Sequence, residues 1–266
     1  MFFILLTFIY KMKKAVLIGI DYINNRKAAL RGCVNDIITV RNMIIDAYDY
    51  DAENIAILRD DDMNFIQPTR ANILQQLNQV ADTSDSLEEF WLHYSGHGSL
   101  LQDQNSKNGE LRNIIVPINY EVEGCIFDYE LFDIIKKIKC RAILIFDCCH
   151  SGSVCDMPWT FEYVDATLTK TKTHTVLIEN MNIFVLSGCR DNQSSADSSN
   201  NLDQNVGAFS NALVESLRAS HHNISILDLY KNASTFLLKN GYSQTPIFSS
   251  SSETPEYVIK KPSKST

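Results

Sequence analysis

The sequence predicts an α/β fold of three layers, with a mostly parallel central sheet between helices, and three observations carry that expectation. Short β-rich apolar runs recur along the chain, segments with helical apolar spacing lie between them, and the two kinds alternate. Residues 15–20 (AVLIGI), the AILIF of 141–147 and the IFVL of 182–188 are apolar at nearly every position, as expected of strands covered on both faces.

In chain order, strands are expected at 15–20, 54–59, 89–95, 141–147 and 182–188. The first helix follows from Val34, Ile37, Ile38, Ile44, Ile45 and Tyr48, which recur at helical spacing. Pro68-Thr69 is a start signal for a second, carried by Ile73, Leu74, Leu77 and Val80. Residues 128–138 make a third, 208–219 and 224–240 two more, and a short strand is expected around 244–249. Segments 100–112, 160–179 and 191–205 read as irregular and polar, and the Ser, Thr, Pro and Lys-rich end beyond Ser249 reads as loosely ordered.

At 266 residues and 45% apolar composition, the chain can bury one sizeable core, so a single domain is expected. Its 24 Lys and Arg against 32 Asp and Glu leave a formal net charge of −8, a field that repels polyanions and disfavours nucleic-acid binding. The seven cysteines are odd in number and lack small-domain spacing, which points to a reducing, intracellular and cytoplasmic setting. The apolar run at 1–10 has its lysines after it instead of before it and is too short to span a bilayer, so neither a signal peptide nor a stable membrane span is expected. It reads as sequence upstream of a start at Met12, or as an apolar arm on the domain.

Two expected strands end in unusual words. EFWLHYSGHG places His97 between Gly96 and Gly98, and RAILIFDCCHSGS places Cys148, Cys149 and His150 ahead of Gly152. Reactive groups of open parallel sheets gather beyond the carboxyl ends of strands, which is where both words lie. A cysteine and a histidine meeting there can supply a thiolate nucleophile and a proton donor for a leaving amine. The backbone N–H groups of Gly98 and Cys149 are then the candidates for stabilising an oxyanion. His97 precedes Cys149 by 149 − 97 = 52 residues, close to the roughly 50 found in caspases.

The words LIGIDY, LRGCVNDI, PTRANI, HYSGHG, DCCHSGS and SGCRDNQSSAD, in that order between Lys14 and Ser250, closely resemble the type I metacaspases. The resemblance implies a three-layer caspase-like sandwich over residues 14–250, flanked by an apolar extension at 1–13 and a polar tail at 251–266. It implies a cysteine endopeptidase with a dyad of His97 and Cys149, in which Cys148 and His150 take no catalytic part. It further implies an acidic pocket at Cys33, Asp36, Ser95 and Asp147, protein or peptide substrates cut after Arg or Lys, self-processing, and a monomer. Read from the residues alone, Asp36 is equally well a solvated or capping residue of the first helix, and Asp147 a strand-end turn.

Many members of that family bind calcium through four aspartates. Asp128 and Asp156 match two of those positions, but Arg112 stands at a third, and Tyr129 follows Asp128 where another carboxylate is expected. An arginine opposes a hard cation, so an enzyme needing no cofactor is the economical expectation, with calcium activation in doubt. Asp103, Glu110, Glu130 or backbone carbonyls are the available substitutes, and Asp128 alternatively caps the helix it precedes. The polar word TLTKTKTHT makes Lys170 and Lys172 the candidates for self-cleavage, set against a plain solvated loop. The main rival reading is a catalytically silent caspase-like module acting by binding. A zinc site built on Cys148, Cys149 and His150 is a weaker one, because adjacent cysteines poorly share one tetrahedral ion.

Overall fold

The computed structural model describes residues 12–104, 109–149, 151, 155–189, 197–199 and 205–262. In chain order the elements begin with β1 (Met12–Gly19), α1 (Cys33–Tyr48), β2 (Ile55–Arg59), α2 (Arg70–Thr83) and β3 (Leu87–Ser95). A small excursion follows: β4 (Gly98–Gln102), β5 (Leu111–Ile115), the one-turn α3 (Tyr120–Glu123) and β6 (Ile126–Phe127). Then come α4 (Asp128–Ile135), β7 (Arg141–Asp147), β8 (Trp159–Val164), β9 (Thr167–Lys172), β10 (Ile183–Ser187) and β11 (Asp197–Ser199). The chain continues through β12 (Asn205–Gly207), α5 (Ala208–Ala219), β13 (Asn223–Ser225), α6 (Ile226–Lys239), β14 (Ile247–Ser250) and β15 (Val258–Lys260).

The central sheet runs β2-β1-β3-β7-β10-β14-β8-β9. Its first five strands pair in parallel and the last three join antiparallel. All seven residues of β7 but Arg141 are buried, and all five of β10, which accounts for their unbroken apolar composition. On one face α1, α5 and α6 pack Ile37, Val40, Ile44, Leu213, Leu217, Leu229 and Leu237 against the sheet. On the other, α2 and α4 bring Ile73, Leu77, Val80, Leu131 and Ile134. Local chemistry sets the helix starts: the side chain of Thr69 accepts from Asn72 N at 3.2 Å, and that of Ser225 from Asp228 N at 3.0 Å. The expected three-layer sandwich with a mostly parallel sheet is therefore the architecture found.

Three expectations of irregularity are corrected. Segment 160–179 holds β8 and β9, a hairpin that adds two strands to the sheet edge, with left-handed Asp165 (φ 49°) and Ala166 (φ 61°) forming its turn. The polar composition of β9 follows from its being an edge strand, exposed at five of its six residues. Segment 100–112 likewise holds parts of the β4–β5 hairpin. The polar tail is ordered as far as residue 262. Ser251 and Ile259 are buried, β15 pairs with β13, and Tyr257 donates to Glu89 Oε2 at 2.6 Å. Residues 1–11 of the apolar extension lie outside the described residues, while Met12 and Lys13 already belong to β1.

Candidate active site

Strand register brings the two words together. In the parallel pair β3–β7, Ser95 stands opposite Asp147, and Gly96 N donates to Asp147 O at 3.4 Å. Two residues farther along each chain stand His97 and Cys149. The approach is so close that a Cβ built on Gly98 would lie 2.1 Å from Cys149 O and 3.0 Å from Cys148 Sγ, so only glycine fits between the strand ends.

His97 is held on several sides. Its Nε2 lies 2.7 Å from the Ala28 carbonyl oxygen, which can only accept; Nε2 therefore carries a proton, and Nδ1 is left for proton exchange. The Tyr22 ring lies 4.6 Å from the imidazole, tilted by 38°. The Tyr22 hydroxyl accepts from His97 N at 3.0 Å and donates to Val116 O at 2.6 Å, while the Tyr94 hydroxyl donates to His97 O at 2.7 Å. Tyr22 adopts a left-handed φ of 51°, a conformation few bulky residues take, and the packing around it holds it there. Neither Ala28 nor Tyr22 was singled out by sequence reasoning; Tyr22 closes the word LIGIDY, and nothing at 28 signals a carbonyl's role.

Val116 N donates to His97 O at 3.2 Å. By the alternation of an antiparallel ladder, Gly98 opposite Ile115 is then a position whose N–H turns away from β5.

At the same strand ends lies a buried pair of carboxylates. Asp36 on α1 and Asp147 at the end of β7 are 1% and 4% exposed, and each is bonded by donors from another element. Ser95 Oγ donates to Asp36 Oδ2 at 2.5 Å and Gly207 N to Asp36 Oδ1 at 2.8 Å. Ser210 gives both its N and its Oγ to Asp147 Oδ2 at 2.8 Å. Burial, and after it the charge of Asp147, pushes the Asp36 carboxyl well above the usual range. Cys33 lines the same corner with its N on Asp21 Oδ1 at 2.9 Å, and burial raises its thiol. All four expected pocket residues thus converge. The solvated or capping reading of Asp36 does not hold, since it is buried and its carboxyl accepts from Ser95 and Gly207 instead of its own helix, whereas Asp147 is the last residue of β7, a buried strand end. Gly207 and Ser210 were missed; their only signal is a glycine directly before a helix. Cys148 is 1% exposed with its thiol raised by burial, a packed residue as expected, and His150 lies outside the described residues.

The residues at the calcium positions do not fit that ion. Asp128 is buried and accepts from Tyr129 N at 2.7 Å and Asn113 N at 3.1 Å, so a helix-start role is realised. Burial first, and Asp156 second, push its carboxyl up to about 6. Arg112 Nη1 lies 4.0 Å from Asp156 Oδ2, placing a guanidinium where a cation would sit. Of the substitutes, Glu110 is paired to Arg112 and Glu130 to Arg70, while Asp103 lies buried at the β4–β5 hairpin. Among the described residues, no three carboxylate, histidine or cysteine side chains converge as metal ligands. Lys170 and Lys172, the self-cleavage candidates, sit on β9 with their ammonium groups 5.4 and 5.7 Å from the Trp159 ring centroid.

The sequence model of the metacaspase peptidase C14 domain matches residues 13–158, just over half the chain. Metacaspase-1 of Saccharomyces cerevisiae is 30% identical over 90% of the chain, and metacaspase-5 of Trypanosoma cruzi 31% over 90%. The chain spans 66% and 57% of those two relatives' lengths. Among solved structures, a protein from Geobacter sulfurreducens superposes with a TM-score of 0.63 at 18% identity, covering 95% of both chains. Caspase-1 of Spodoptera frugiperda superposes with a TM-score of 0.57 at 12% identity, covering 96% of this chain and 93% of its own. The fold is thus that of the caspases, and with the domain model matched over residues 13–158, a span that includes both strand ends, the chain belongs to the metacaspase family.

Proposed function

We propose that this protein is a cysteine endopeptidase that cleaves peptide bonds after Arg or Lys, with Cys149 as nucleophile and His97 as its acid-base partner. The observation that carries this reading is the pairing of Ser95 with Asp147, two residues before His97 and Cys149 respectively, at the strand ends where the buried Asp36 and Asp147 carboxylates lie. Two carboxylates this buried, with the Asp36 carboxyl pushed up by burial and by its neighbour, form a site that a guanidinium or ammonium group relieves. Donors from Ser95, Gly207 and Ser210 hold the acceptor oxygens in place before any substrate arrives.

In the reaction, the substrate's basic side chain enters the pocket and sets its carbonyl carbon over Cys149. The thiolate attacks, and the N–H groups of Gly98 and Cys149 receive the developing oxyanion, at about 3 kcal/mol per donor in comparable sites. His97, oriented by the Ala28 carbonyl and the Tyr22 ring, protonates the departing amine through Nδ1. It then takes a proton from the water that hydrolyses the acyl-enzyme. No cofactor takes part in these steps. We further assign a monomeric, intracellular enzyme acting on protein or peptide substrates, with self-processing as one of its reactions.

The test is hydrolysis of matched Arg, Lys and Asp fluorogenic peptides by wild type and Cys149→Ala. Cleavage after Arg and Lys that vanishes in the variant supports the assignment. Absence of Cys149-dependent cleavage of all three would leave the binding-module reading in its place.

A further inference from the structure

We propose that Arg112 acts as a tethered cation that pins Asp156 and its neighbours Cys155 and Met157, so that this protein holds that segment without a divalent metal. Arg112 lies on β5, where Nη2 donates to Glu110 Oε2 at 3.0 Å and Nη1 reaches toward Asp156 Oδ2 at 4.0 Å. The other Asp156 oxygen is 3.5 Å from His174 Nε2. Asp128, at the start of α4, is tied to the same strand: it accepts from the backbone N of Asn113, the residue after Arg112, at 3.1 Å. The one guanidinium thus serves two carboxylates, Glu110 just ahead of its own strand and Asp156 beyond the nucleophile.

The position of Asp156 explains why this matters. It follows Cys149 by 156 − 149 = 7 residues, between the buried Cys155 and Met157 at 2% exposure each. Asp156 itself takes a left-handed φ of 42°, a conformation aspartate adopts more readily than most non-glycine residues and one that turns the chain at this point. The guanidinium links this residue to β5, and β5 is paired to β4, whose first residue Gly98 lies against the Cys149 backbone. A closed path of strand pairing and ion pairing thus runs from the nucleophile, through the histidine side of the site, back to the segment that follows the nucleophile. An arginine in that path is present at every metal concentration. Glu110, the remaining nearby carboxylate, is already turned to Arg112.

Arg112 is a positioning residue in this account, and its effect on cleavage rests on the peptidase reading; its effect on melting does not. The experiment measures thermal unfolding and Arg-peptide hydrolysis for wild type, Arg112→Ala and Arg112→Asp, each with chelator and with excess calcium. Wild type should melt at the same temperature in both media and cleave at rates within about twofold. Arg112→Ala should melt lower in chelator and cleave about tenfold more slowly. Arg112→Asp, which adds a carboxylate beside Asp128 and Asp156, should acquire a calcium response: a melting midpoint raised by about 5 °C and cleavage recovered with the ion. A calcium-raised midpoint in the wild type, or an Arg112→Ala protein with wild-type midpoint and rate in chelator, overturns the proposal. If no protein cleaves under any condition, the peptidase reading fails, while the melting shifts still decide the role of Arg112.

Discussion

Gly207 shows how narrowly the pocket is drawn at the scale of single residues. A Cβ at this position would lie 2.2 Å from Asp147 Oδ2 and 2.8 Å from Asp36 Oδ2, and both carboxylates are buried too tightly to move aside cheaply. Gly207→Ala should therefore cut kcat/KM on Arg and Lys peptides by about 100-fold, mostly through KM, in a protein that remains folded. A near-wild-type KM would show that the carboxylates do not contact the substrate. Asp36 makes a second prediction, in which the sign matters. Its carboxyl is raised in the fold, so the folded state holds that proton more tightly than the unfolded chain does. The stability it contributes is present below the ordinary carboxylate range and is lost as pH rises through the raised value. At neutral pH the empty pocket is thus a cost. Asp36→Asn should melt higher than wild type at neutral pH, lose that advantage in acid, and cleave basic peptides about 100-fold less well. A lower melting temperature at neutral pH would refute the burial argument. His93, under the same pocket, runs the other way. Burial lowers its pKa to about 3, so the stability of its neutral form is present above about 6.5 and falls away as pH drops toward 3.

Among the elements, the added hairpin β8–β9 and the C-terminal strap decide two further outcomes. Lys170 and Lys172 were expected on a loop but lie on a strand paired with β8, where Lys170 also bonds Glu253 Oε1 at 2.9 Å. An active-site cleft takes up an extended, unpaired chain, so β9 must leave the sheet edge before either bond is cut. Self-cleavage there should be slow and should accelerate when the hairpin turn is loosened, as in Val164→Gly; mass spectrometry of incubated protein reads the cut sites. The strap is fastened at the opposite end of the sheet. Glu89, 4% exposed, accepts from Tyr50 at 2.9 Å, Tyr257 at 2.6 Å and Arg141 at 3.1 Å. Tyr257→Phe removes one donor to a buried carboxylate and should lower stability by about 1–3 kcal/mol in a urea titration, leaving cleavage rates unchanged. A loss of less than a few tenths would mean the remaining donors suffice.

Across the whole molecule, the net charge of −8 and the acidic pocket act in the same direction on a cationic peptide. The kcat/KM for Arg peptides should fall severalfold as ionic strength rises through the physiological range, while a neutral thiol reagent reacts with Cys149 at a salt-independent rate. The sequence by itself determined the layered fold, because buried parallel strands leave unbroken apolar words and helices leave spaced ones. It also showed which histidine and cysteine stand at strand ends, and its recognisable words carry Cys33, Asp36, Ser95 and Asp147, four residues that the fold brings together. Only the tertiary structure decided what closes the pocket and what holds the histidine. Gly207, Ser210, Ala28 and Tyr22 come from segments distant in the chain from His97 and Asp147, and three of them act through backbone atoms that carry no sequence signal. It likewise decided that polar segment 160–179 is a sheet edge and that the tail is a strap. Composition reports exposure, whereas strand pairing depends on partners supplied from elsewhere in the fold.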